Sequence, residues 1–156
     1  MPEDPPSRAG AFGRWWRIFD EVSDPRVVRQ TTSVSCHSAC GEMLSGGQIT
    51  QAELLEVLGE GMKTFDQLLR ALNGFRRGIF TGEEFQPNGF DSVLEHSPWI
   101  AMVFAADARA FHMVLVESFD APHFTILDPW DGTKYTVLKG EFFDFWTGLA
   151  LWQEAL

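Results

Sequence analysis

Two cysteines, one tyrosine and four histidines are all that the 156 residues contain of these types. Two thiols exclude a disulfide framework. Cys36 and Cys40 also stand four residues apart on one expected helix, a poor placement for a bridge. Cys36, His37 and Cys40 fall short of a structural zinc site, which takes four ligands, because no second Cys/His pair with ligand spacing exists. Neither a metal nor a cofactor is expected. Basic side chains are scarce, 12 against 22 acidic ones, and the formal charge of −10 argues against a phosphate-binding surface. Nucleic acid is therefore not an expected partner. The longest apolar run, Trp99 to Ala106, is too short to span a bilayer, so no integral membrane segment is expected. Met1-Pro-Glu-Asp-Pro-Pro is acidic and proline-rich, the opposite of a secretory n-region. Synthesis in the cytoplasm without a signal peptide is the expectation, with any export needing another route. No repeat or linker interrupts the chain.

What is present is a 45% apolar composition with 14 Phe and 6 Trp, enough for one domain with a proper core. Residues 1–22 read as a flexible leader followed by an aromatic and basic segment, Phe12 to Phe19, expected to pack as a short helix. Residues 23–156 read as the folded domain. A cysteine, Cys36, heads a short helix with Ala39, Cys40, Met43 and Leu44 on one side, and Gly46-Gly47 stops it. A thiol at a helix N-terminus feels the positive end of the backbone dipole, which stabilises its thiolate. The unpaired N–H groups of that first turn, with the amide of nearby Gln30, can hold a developing oxyanion.

Two capping boxes follow, Thr50-Gln-Ala-Glu53 and Thr64-Phe-Asp-Gln67, each opening a leucine-striped helix. The period then changes. Gly78 to Thr81 reads as a short strand, Pro87-Asn-Gly89 as a turn and Phe90 to Glu95 as one helical turn. Trp99 to Ala105, Phe111 to Glu117, His123 to Leu127 and Tyr135 to Leu138 read as strands, joined in part by an Asp131-Gly132 hairpin. Glu141 to Trp146 is an expected last helix, and the C-terminus a packing tail. Helices first and an antiparallel sheet second is an α+β layout.

A nucleophilic thiol needs an imidazole to take its proton and return it to the leaving group. His37 points about 100° away from Cys36 around the helix. His96 and His123 sit beside turns. His112 instead starts the apolar strand Met113-Val-Leu-Val116, a rigid mount whose first residue is expected near the sheet edge. Asp128 ends another strand, before Pro129-Trp130. If the two strands pair antiparallel, its carboxylate can fix the ring of His112. Trp130 could shield the pair from water.

Gln30, five intervening residues, Cys36, small residues and Met43-Leu44, with His112 beginning a strand and Asp128-Pro129 following, resemble the papain-like cysteine peptidases. The resemblance spans Val28 to about Trp146, and its nearest branches are the bacteriocin leader-processing peptidases and bacterial effector proteases. It implies a papain-like fold, with a helical half carrying the nucleophile packed on an antiparallel sheet. It further implies hydrolysis of peptide bonds in a protein or peptide substrate by Cys36, His112 and Asp128, with Gln30 in the oxyanion hole. Those families usually have Gly or Trp after the cysteine, where this chain has His37. An effector or antibacterial toxin is one expectation, with a dedicated secretion system for delivery and an immunity or inhibitor protein as a further partner. Other acyl-transfer chemistry (a deamidase, transglutaminase or leader-peptide processor) and a silent binding module are the alternatives.

Overall fold

The computed structural model describes residues 16–59, 61–86, 89–105 and 109–155. It opens with a strand, β1 (Phe19–Ser23), and continues with three helices, α1 (Cys36–Leu44), α2 (Gln51–Leu58) and α3 (Phe65–Gly74). There follow β2 (Phe80–Glu84), α4 (Asp91–Leu94), β3 (Trp99–Ala105), β4 (Ala110–Asp120), β5 (His123–Asp128), β6 (Thr133–Leu138), α5 (Lys139–Phe145) and β7 (Trp146–Gln153). The seven strands form one sheet in the order β1-β6-β5-β4-β3-β7-β2, with every pairing antiparallel. The α+β, papain-like arrangement expected from the sequence is the one observed.

Both expected capping boxes form. Thr50 accepts from the Glu53 N–H while Glu53 reaches back to Thr50, and Thr64 and Gln67 do the same for α3. Helix α1 ends where Gly46 and Gly47 adopt φ of 65° and 85°, backbone angles that a side chain disfavours. Gly41 lets α1 lie close on its neighbours: a Cβ there would stand 2.5 Å from Leu54 Cδ1 and 3.3 Å from Leu72 Cδ2.

The sheet is buried on both faces, which explains why β3 and β4 read as unbroken apolar runs rather than alternating ones. Ile100, Met102, Met113 and Leu115 face α1–α3. Trp99, Ala101, Val103, Val114 and Val116 face an aromatic cluster that includes Trp16, Phe124 and Phe142. Among the described tryptophans, Trp16, Trp99 and Trp152 are core residues.

Three expectations need correction. The C-terminal stretch is not a tail but β7, lying between β3 and β2. Burial on both faces and a kink at Gly148 (φ 93°) hide its period. The described part of the aromatic and basic segment is extended rather than helical. Trp16 and Ile18 turn into the core while Arg17 pairs outward with Glu141 at 2.6 Å. Residues 16–22, read as part of a leader segment, thus pack with the sheet, and residues 12–15 lie outside the described residues. Finally, β4 is the central strand of the sheet, so His112 sits near a strand end and not at the sheet edge. The expected turn at Pro87-Asn-Gly89 falls largely outside the described residues.

Because α1 has no spare room at Gly41, Gly41→Val should destabilise the fold by about 1–3 kcal/mol. Urea unfolding of the parent and variant, with unchanged slope, checks this.

Candidate active site

Cys36 is the first residue of α1, and the turn before it is held without capping the helix. Ser35, at the N-cap, makes no side-chain cap; its hydroxyl accepts from the Thr32 N–H at 3.0 Å instead. The Ser35 carbonyl accepts from the Ser38 and Ala39 N–H groups. The N–H groups of Cys36 and His37 have no acceptor among the described residues, and they project from the positive end of α1.

Gln30 lies buried beside this turn. Its backbone N–H donates to the Pro129 carbonyl at 2.8 Å, and its Nε2 donates to the Thr32 carbonyl at 2.8 Å. That leaves the second amide proton, while its Oε1 is buried with no partner among the described residues. Gln51 braces the same segment, accepting from the Thr31 N–H and donating to the Arg29 carbonyl.

His112 and Asp128 come together through sheet register. Leu115 of β4 pairs with Leu127 of β5, so continuing by one pair sets Asp128 opposite Val114 and diagonal to His112. Diagonal neighbours on one face are within reach of long side chains. The bond is short: His112 Nε2 to Asp128 Oδ1 is 2.8 Å. The Cys36 thiol is hydrogen-bonded to the same ring, which leaves Nδ1 as its partner. All three side chains are nearly enclosed, at 4%, 4% and 3% exposure for Cys36, His112 and Asp128.

Burial alone would favour a neutral imidazole. The charge and hydrogen bond of Asp128, with the Cys36 sulfur, outweigh it and raise the His112 pKa from 6.5 to about 10. Burial likewise works against the Asp128 carboxylate, but His112, the Tyr135 hydroxyl and the Trp130 N–H hold its pKa below the ordinary value. The pair is therefore ionised at neutral pH. Trp130 contributes its backbone N–H, at 2.9 Å from Asp128 Oδ1. Tyr135 was not legible as a site residue, although it donates to Asp128 Oδ2 at 2.7 Å. The signal was in the hairpin: Asp128 pairs with Thr133, which puts Tyr135 on the diagonal.

The other candidates separate cleanly. Burial, with Cys36 and Asp128 nearby, pushes the Cys40 thiol well up, so it stays protonated in the core. His37 donates from Nε2 to the Gly61 carbonyl at 3.2 Å, and its Nδ1 lies 2.8 Å from the Ser38 hydroxyl. Burial lowers its pKa. His96 stacks on Trp152, and His123 lies against Phe19 and Asp120.

An apolar groove of about 690 Å3, lined by Met62, Phe65, Leu69, Met102, Phe111 and Leu149, reaches β4 at the residue before His112. It joins the two halves: Phe111 precedes His112, and Met62 follows the Gly61 that His37 binds.

Similarity to known proteins points the same way. No family model matches the chain. Its structure superposes on a double-glycine motif protease from an AMS/PCAT transporter, solved with a leader peptide. The TM-score is 0.67 at 17% identity, covering 99% of this chain and 100% of that one. The peptidase domain of Streptococcus ComA gives 0.66 at 20% identity, over 83% and 97%. The fold these comparisons define is thus the papain-like one of cysteine peptidase domains. In sequence the chain is 31% identical over 148 residues to cysteine protease effector 1 of Escherichia coli O1:K1:H7, aligning 92% of this chain. It spans 30% of that relative's length. No helix among the described residues is long and apolar enough to cross a membrane.

The ion pair gives a pH dependence with a defined sign. A raised His112 pKa stabilises the fold fully below about 6.5, and the gain is lost as pH climbs through about 10. A lowered Asp128 pKa stabilises above about 3.8, and the gain is lost as pH falls through the depressed value. Asp128→Asn should therefore cost about 3–5 kcal/mol, most between about pH 4 and 6.5 and less toward pH 10. Denaturant melts of both proteins across that range measure the gap.

Proposed function

We propose that the chain is a cysteine endopeptidase acting through Cys36, His112 and Asp128. The observation that carries this reading is the thiol of Cys36 bonded to an imidazole that Asp128 holds at 2.8 Å. Cys36 attacks a peptide carbonyl as a thiolate, its proton already on His112. The oxyanion that develops lies toward the Cys36 N–H and the spare amide proton of Gln30, which have no acceptor among the described residues. His112 then protonates the leaving amine, and the acyl-enzyme releases its product when His112 takes a proton from water. Asp128 stays ionised throughout and keeps the ring in one orientation.

The substrate is a protein or peptide with an apolar stretch seated in the groove that Phe111 lines. Its lining favours Leu-, Met- or Phe-like side chains. The similarity to an effector protease supports a bacterial effector role, reached through a secretion system, with the formal charge of −10 suiting a basic partner or inhibitor. Leader-peptide processing is the second reading, supported by the fold shared with a protease solved on its leader peptide. Proteomic comparison of new termini separates the two: scattered host or rival proteins mark an effector, and double-glycine leader ends mark a processor.

Cys36→Ala should reduce cleavage by at least about 1,000-fold while leaving the fold intact. Gln30→Ala should lower kcat by about 100- to 1,000-fold. Terminus profiles or a peptide assay with purified variants measure both. Parental cleavage by Cys36→Ala sinks the proposal.

A further inference from the structure

We propose that Tyr135 and Trp16 are positioning residues that hold Asp128 through a directed hydrogen-bond relay, tying the amino-terminal segment to the imidazole. The inference rests on the triad reading above and concerns two side chains outside the lining of the groove.

The relay has one possible polarity. An indole N–H only donates, so the Trp16 Nε1, 3.1 Å from the Tyr135 hydroxyl, gives its proton to that oxygen. An ionised carboxylate only accepts, so the single phenolic proton goes to Asp128 Oδ2 at 2.7 Å. Asp128 Oδ1 meanwhile takes the His112 ring at 2.8 Å and the Trp130 N–H at 2.9 Å. Each member accepts from the one before, and bonds arranged head to tail polarise one another in a low dielectric. Trp16 and Tyr135 are both 1% exposed, so no water can substitute for either.

Geometry fixes the relay as firmly as chemistry. Tyr135 sits on β6, diagonal to Asp128, as His112 sits diagonal to it on β4. The carboxylate is thus gripped from both neighbouring strands. Trp16 is held by a stack on Phe142 at 5.6 Å and by Arg17, whose N–H and guanidinium both bind Glu141 of α5. The residues ahead of β1 therefore act on the far side of the carboxylate from the thiol.

The groups facing Asp128 are His112 from β4, Cys40 from α1, the Trp130 N–H and Tyr135 from β6, with Cys36 on the far side of the His112 ring. The test follows alkylation of Cys36 by iodoacetamide from about pH 5 to 9, which needs no substrate. An ordinary thiol, with pKa ~8.5, reacts slowly at the acid end. Tyr135→Phe should slow alkylation near pH 6 by about five- to thirtyfold, the loss of one charge-assisted hydrogen bond. Trp16→Phe, which keeps the stack on Phe142, should slow it about two- to fivefold. Acting in series, the double variant should match Tyr135→Phe alone. Parental profiles in Tyr135→Phe, or single effects that multiply, would overturn the relay. Because Tyr135 is the chain's one tyrosine, growth on 3-fluorotyrosine labels this site alone. Its 19F resonance should shift on Trp16→Phe and on Cys36 alkylation, and a resonance indifferent to both also overturns the proposal, whatever the Phe variant does to folding. Rapid parental alkylation without any peptide cleavage would sink the peptidase reading and leave the relay standing. A parental Cys36 as slow as a free thiol would sink both.

Discussion

A carboxylate and an imidazole ionised together inside the fold are the constraint around which this domain is arranged. Removing two charges from water costs several kcal/mol each, and their attraction offsets this only when every remaining lone pair and proton is engaged. Asp128 meets that condition with three donors, from His112, Trp130 and Tyr135. His112 meets it with the carboxylate on one nitrogen and the thiol on the other. Lose one donor and a buried charge is left short. The strands that supply the donors, β4, β5 and β6, are consecutive in the chain and adjacent in the sheet. Two tight connections therefore suffice to set the register on which the ion pair depends.

The helical half solves the opposite problem. A helix start is normally satisfied by a side-chain cap, as Thr50 and Thr64 show for α2 and α3. Helix α1 has a serine in the same place, yet its hydroxyl is committed to the preceding turn. The donors left over at Cys36 and His37 weaken the helix slightly, and under the proposed mechanism they are worth more to a developing negative charge. Tight packing supplies the compensation. Cys40 and Leu44 are buried, and Gly41 presses against Leu54 and Leu72.

How far the sequence reveals this depends on the range of the interaction. Capping boxes, the glycine stop and the Asp131-Gly132 hairpin are local, and each is legible from a few residues. The meeting of His112 and Asp128 was legible because strand pairing converts separation along the chain into a diagonal, and the Asp128-Pro129 end fixed where β5 stops. Strand β7 was not legible: buried on both faces and entered directly from α5, it shows neither alternation nor a turn. Trp16 escaped for a related reason. Its partner lies 119 residues away, and an aromatic and basic stretch reads equally as a surface helix. The sequence marks Tyr135 as a strand residue only, since its value lies in the direction of one hydroxyl proton.

His37 shows how the two halves are kept in step. An imidazole beside Cys36 could be mistaken for a base, but its ring is held by the Gly61 carbonyl. That carbonyl belongs to the segment leading into Met62 and Lys63, which forms one wall of the groove. Burial and the nearby Lys63 charge both favour the neutral ring, and a neutral ring with its proton on Nε2 is what a carbonyl partner requires. The residue after the cysteine thus links the thiol's helix to the groove wall, while Phe111, next to His112, belongs to the opposite wall. Cys36, His112 and the groove are each one residue from a structural tie, so under the proposed function a shift of either half would disturb chemistry and substrate seating together.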